Sequence, residues 1–157
     1  MNRRHSDPLE GETMSDRKKR CEELVALFSR APIKKTLGMD LSFNDKNESV
    51  FELPHNPGFE HGLGDTHGGL IATLLDNAGW FAAAVYYDSW IATVEMQVRL
   101  LEPAKREALR AVGRVLRAGQ SLAVAEMEAR TLSGRLIATG SGTFAVTSLE
   151  MEKEKTK

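Results

Sequence analysis

The chain has 157 residues, 41% of them apolar, and a formal net charge of −1. That is enough apolar material for one domain around one packed core. The near-neutral balance, with Arg and Lys scattered along the chain, excludes a basic stripe for nucleic acid or an anionic membrane surface.

Residues 1–15 are polar and without apolar periodicity, and are expected to be disordered. Arg3, Arg4, Asp7 and Glu10 leave no apolar run for a secretory signal, so the expected compartment is the cytoplasm. Residues 16–148 are expected to form a single domain, followed by a charged tail over 149–157. Ser15 to Arg30 reads as a helix, capped by Ser15, striped by Leu24, Leu27 and Phe28, and closed by Pro32. Leu37 to Phe43 and Ser49 to Leu53 read as strands around the turn Asn44-Asp45-Lys46-Asn47. Residues 54–66 hold two Pro and three Gly and read as loop.

A long helix is expected from His67 to Tyr87. It is apolar on most sides, and Asp76 is its one charged side chain. Asp76-Asn77 splits the apolar run into two pieces, each too short to cross a membrane. Next comes a strand with Ala92, Val94, Met96, Val98 and Leu100 alternating against Thr93, Glu95, Gln97 and Arg99, ended by Pro103. Glu107–Arg117, Leu122–Leu132 and Arg135–Val146 read as three more strands, joined by turns at Ala118-Gly119-Gln120 and Ser133-Gly134. Short turns imply antiparallel neighbours. The expected class is α+β: an antiparallel sheet of about six strands wrapped around one long central helix.

Several chemistries are excluded. The single cysteine, Cys21, rules out an intramolecular disulfide and a cysteine-based zinc site. His5, His55, His61 and His67 show no metal-ligand spacing, so neither a metal nor a cofactor is expected. What remains is Asp76. A carboxylate in an apolar helix costs free energy to bury, so it is usually paired, protonated or functional. Gly68 and Gly69, at the start of the same helix, let a ligand approach bare backbone N–H groups. Amides that stabilise an anion, together with one isolated carboxylate, suit attack on a carbonyl. Trp80, Phe81 and Tyr86 read as packing residues.

The run HGGLIATLLDNA (67–78), the strand ending in Leu101-Glu102-Pro103-Ala104, and RAGQSLAVAEMEARTLSGRLIATGSGTF (117–144) together resemble the PaaI-type hotdog-fold acyl-CoA thioesterases. The resemblance covers roughly residues 37–147. It implies a hotdog fold and hydrolysis of acyl-CoA or related thioesters by a homo-oligomer, dimer or tetramer. It also implies that an N–H of Gly68 or Gly69 polarises the thioester carbonyl, beside His67. Asp76 is then the general base or nucleophile, and Thr93 helps position water. The family's usual amide residue six before the histidine is replaced by His61, and its basic residue in the fourth turn by Gln120. A phosphate clamp would therefore draw on Arg117 or Arg99. Hydratase chemistry on the same fold and a non-catalytic acyl-CoA-binding module are the alternatives.

Helix geometry adds one expectation. Gly68 and Asp76 stand eight residues apart, about 12 Å along the helix axis. Both must come within about 3 Å of one reacting group. The site is therefore expected to span a two-fold interface, Gly68 of one subunit facing Asp76 of the other.

Overall fold

The computed structural model describes residues 14–151. Helix α1 spans Met14–Ser29 and helix α2 spans Pro32–Leu37. Strands β1 (Asp40–Phe43) and β2 (Ser49–Leu53) form a hairpin, and the central helix α3 runs Gly68–Ala84. Strands β3 (Ser89–Leu100), β4 (Leu109–Ala118), β5 (Leu122–Thr131) and β6 (Leu136–Glu150) follow. All six strands join one antiparallel sheet in the order β1-β2-β4-β5-β6-β3.

The expected α+β class, strand number and central helix are all present. α2 was not foreseen. Pro32 ends α1 but also sits at the start of α2, where its missing N–H costs nothing, and Gly38 (φ 69°) closes that helix in the left-handed region. β1 therefore starts at Asp40 rather than Leu37. At the other end β6 runs on to Glu150. Met151 is buried, its N–H donates to the Asp88 carbonyl (3.1 Å), and its sulfur takes the Arg20 guanidinium (3.3 Å). The expectations of disorder over residues 1–13, of a Ser15 side-chain cap and of a free tail over 152–157 lie outside what is described.

The concave face of the sheet closes on α3. Ile71, Leu74, Leu75, Ala78, Phe81 and Ala82 are buried against it. The tightest approach is at Gly113 of β4, where a Cβ would stand 2.1 Å from the Ala78 carbonyl oxygen. The Ser49 hydroxyl on β2 donates to that same oxygen (2.5 Å), so a carbonyl pressed into the core is satisfied from the sheet. Phe28 of α1 lies edge-on to Phe51 and Phe81, ring centroids 4.9 and 5.4 Å away, which fastens α1 over one end of the core.

β3 departs from the uniform alternation expected of it. Its pairing with β6 slips between Ser89 and Ile91 and again between Thr93 and Glu95. At the first slip the extra residues lie on β6, between Val146 and Glu150, and β3 keeps its phase; at the second Val94 is the extra residue of β3, a bulge that reverses the side-chain phase. Ile91 and Thr93 therefore face α3 together with Met96, Val98 and Leu100. Ala92 and Val94 do not, and Val94 is 57% exposed.

Gly113→Ala is expected to cost about 1–3 kcal/mol, because the obstructing atom is backbone and cannot swing away. Chemical denaturation of the variant beside wild type measures it.

Candidate active site

α3 begins at a loop anchored on both sides. The Thr66 N–H donates to the Ala104 carbonyl (2.8 Å) and the His67 N–H to the Phe59 carbonyl (2.8 Å). His67 is the N-cap of α3, and its Nδ1 accepts the Gly69 N–H at 2.9 Å. A Cβ on Gly69 would stand 3.1 Å from that nitrogen, so the glycine lets the ring close over the amide. The next free amide belongs to Gly68. Among the described residues no acceptor takes the Gly68 N–H. It sits at the positive end of a seventeen-residue helix dipole.

Two turns further on, Asp76 lies on the part of α3 that the sheet leaves half open, along with Thr73, Asn77 and Trp80. Asp76 Oδ1 accepts the Thr93 hydroxyl at 2.9 Å. Burial raises the Asp76 pKa above its ordinary value, and the Thr93 hydrogen bond partly opposes that rise. Asn77 Nδ2 donates to the Thr73 carbonyl (2.8 Å), and the Thr73 hydroxyl to the Gly69 carbonyl (2.9 Å), so the neighbouring polar groups serve the helix and leave Asp76 to Thr93. Trp80 Nε1 donates to the Ile91 carbonyl (2.8 Å). The three-residue stretch between the two slips in the β3–β6 pairing thus contacts α3 twice, holding the indole at Ile91 and the carboxylate at Thr93.

Asp76 and Thr93 are brought together. His67, Gly68 and Gly69 share the helix start. His61 contacts neither group. Its Nδ1 accepts the Leu63 N–H (3.1 Å), and its Nε2 lies 4.0 Å from Asp65 Oδ2, within its own loop. Arg99 and Arg117 are exposed on β3 and β4, and Gln120 is exposed in the turn after β4. Cys21 is buried far along the chain in α1, and its thiol is pushed up to about 11 by burial, which suppresses the thiolate a nucleophile requires. No group of three His, Cys, Asp or Glu side chains that could hold a metal exists among the described residues. No helix among them is long and apolar enough to cross a membrane.

A capped helix start with an unengaged amide, and a desolvated carboxylate on the same helix, are chemically suited to polarising a carbonyl and removing a proton. Relatives agree with that class. The thioesterase superfamily profile matches residues 63–138, which include the helix start, Asp76 and Thr93. A "putative esterase" of Saccharolobus solfataricus is 31% identical over 135 residues, covering 85% of this chain and 94% of that protein. A second "putative esterase", from Halobacterium salinarum, is 29% identical over 123 residues, 70% of this chain and 81% of that protein. Among solved structures, a thioesterase family protein from Silicibacter pomeroyi superposes with TM-score 0.75 at 26% identity, over 86% of this chain and 99% of its own. The E. coli PaaI protein from the phenylacetic acid degradation operon superposes with TM-score 0.77 at 20% identity, over 86% and 98%. The chain belongs to the hotdog-fold thioesterase superfamily.

Two outcomes follow from the raised Asp76 pKa. Carboxyl NMR should find Asp76 titrating above 3.8, and Thr93→Val should move it higher by removing a bond to the charged form. The linkage sign is the reverse of an ion-paired aspartate. Because the folded value lies above the unfolded one, stability attributable to this group is full below 3.8 and falls as pH rises through the folded pKa. Asp76→Asn should therefore be more stable than wild type at neutral pH and converge with it in acid, as urea titrations across pH would record.

Proposed function

We propose that the protein hydrolyses acyl-CoA or related thioesters to the free acid and thiol. The carrying observation is the pairing of an unengaged Gly68 N–H at the start of α3 with a desolvated carboxylate, Asp76, held by Thr93. The thioester carbonyl sits at the helix start, where the Gly68 amide and the helix dipole stabilise the developing oxyanion. Gly69 contributes indirectly, because its amide caps onto His67, and His67 serves to hold the turn. Asp76 removes a proton from water as the water oxygen adds to the carbonyl, and the C–S bond then breaks with the thiolate taking up that proton; or Asp76 attacks directly, expelling the thiolate to give an anhydride that water opens to the free acid and the restored carboxylate. In the first route Thr93 also orients the water. The base must be ionised, so turnover rises with pH through the raised pKa of Asp76.

The functional unit in this reading is a homodimer, alone or paired into a tetramer. β3 is a twelve-residue edge strand whose outer edge has no strand partner among the described residues, and Val94, Leu100 and Trp90 are exposed along it. Such an edge is a template for pairing with a second copy. The half-open face of α3 lies beside it. Joining two copies there covers both faces and brings Gly68 of one subunit toward Asp76 of the other, which removes the 12 Å problem of placing both groups from one helix.

Thiol release from a panel of acyl-CoAs tests the reading. Wild type should release thiol. Asp76→Asn, with unchanged circular dichroism and oligomer size, should lose about 10²–10⁴-fold in kcat/KM. Release that persists in Asp76→Asn would overturn the assignment of the base. An absence of release from CoA and carrier-protein thioesters alike would overturn the activity and favour the binding-module reading.

A further inference from the structure

We infer that Trp80 is a positioning residue for the base: its indole N–H, given to the Ile91 carbonyl, holds the segment of β3 that carries the Thr93 hydroxyl against Asp76. The inference rests on the role proposed above for Asp76. Two hydrogen bonds join α3 to this segment. Thr93 Oγ1 donates to Asp76 Oδ1 (2.9 Å), and Trp80 Nε1 donates to the Ile91 carbonyl (2.8 Å). On the helix the two residues are four apart, about 6 Å along the axis. On the strand their partners are two apart, about 6.6 Å. The two rises match, so helix and strand, running in opposite directions, meet as a clasp with one hydrogen bond at each end.

β6 by itself holds the segment weakly. The Val146 N–H donates to the Ser121 carbonyl (2.9 Å), so Val146 turns its backbone groups toward β5. Ile91, opposite Val146 in the register, therefore turns its own toward the free edge of β3, and Thr93, two residues on, does the same. Between the two slips only Ala92 faces the β6 ladder. The indole supplies the second tie, and its direction is set by packing. The rings of Phe81 and Trp90 stand 4.7 and 4.8 Å from it, inclined at 63° and 53°. On the helix side, Asn77 and Thr73 are committed to backbone carbonyls. The distance at which Thr93 meets the carboxylate is thus governed by the clasp.

Trp80→Phe keeps an aromatic ring and removes the donor. Carboxyl NMR of the full chain should find Asp76 titrating higher in Trp80→Phe than in wild type, as in Thr93→Val, because the bond to the charged form is loosened. In the double variant Trp80→Phe/Thr93→Val the rise should equal that of Thr93→Val alone, since one hydroxyl transmits both effects. With a thioester that wild type turns over, Trp80→Phe should lower kcat about tenfold and leave KM unchanged. An Asp76 pKa equal to that of wild type, a double variant whose rise is the sum of the two, or an unchanged kcat would overturn the proposal. Should Trp80→Phe fail to fold, wild type decides. Its Trp80 Nε1 proton should exchange with solvent more slowly than that of Trp90, which is 42% exposed, and equal exchange would overturn the proposal. The clasp and the hydrolase reading fail separately. A wild type that turns over no thioester overturns the hydrolase reading, while the NMR titrations still decide the clasp.

Discussion

The sheet can close on α3 only because backbone meets backbone where it would otherwise be held off. Gly113 has no side chain to separate β4 from Ala78, and the Ser49 hydroxyl satisfies the carbonyl that this contact buries. An apolar helix seated this deeply loses most of its circumference to the core, and one narrow face stays open. Asp76 is on that face. Its carboxyl is shielded enough for burial to raise its pKa, yet accessible enough to meet a substrate. The same packing that stabilises the fold therefore conditions the one charged side chain of α3. It does so at a cost to stability at neutral pH, a pattern common at functional sites.

The second requirement falls on β3. A strand of uniform phase would turn Thr93 away from α3 and leave the carboxylate without its hydrogen bond. The bulge at Val94 reverses the phase once, so that Ile91 and Thr93 face the helix as Met96, Val98 and Leu100 do. Ile91 holds an indole by its carbonyl and Thr93 holds the carboxylate by its hydroxyl. The irregularity of the strand is what brings the Ile91 carbonyl and the Thr93 hydroxyl to adjacent turns of one helix.

Much of this was legible in the residues. The largely apolar run 67–87, with Asp76 its one charged residue, announced a buried helix with a conspicuous carboxylate, and the short turns between strands announced antiparallel pairing. Strand-level detail was not legible. Alternation from Ala92 to Leu100 matches period 2, and only Ile91, an apolar residue on the wrong phase, hinted that the register breaks. Pro32 was read as a stop, although the same residue begins α2. At the site, the sequence could not divide labour between Gly68 and Gly69. The capping bond from the Gly69 N–H to His67 Nδ1 depends on a side-chain rotamer, which no spacing encodes. His61 stands where the family usually has an amide residue, and its ring is engaged with Leu63 and near Asp65 in its own loop.

The central claim is that each site takes its amide from one subunit and its carboxylate from the other, and complementation between two inactive chains tests it most directly. Gly68→Pro deletes only the amide proton. Proline is accepted at the first helical position, and His67 already has the extended backbone (φ −61°, ψ 131°) that precedes a proline. A Cβ at this position would meet only the flexible end of Leu100. Gly68→Pro and Asp76→Asn homodimers should both be inactive. Unfolding and refolding them together as an equal mixture should restore about a quarter of wild-type thiol release, since half the dimers are mixed and each carries one intact site. Activity that stays absent in verified mixed dimers of the two chains would contradict the shared site.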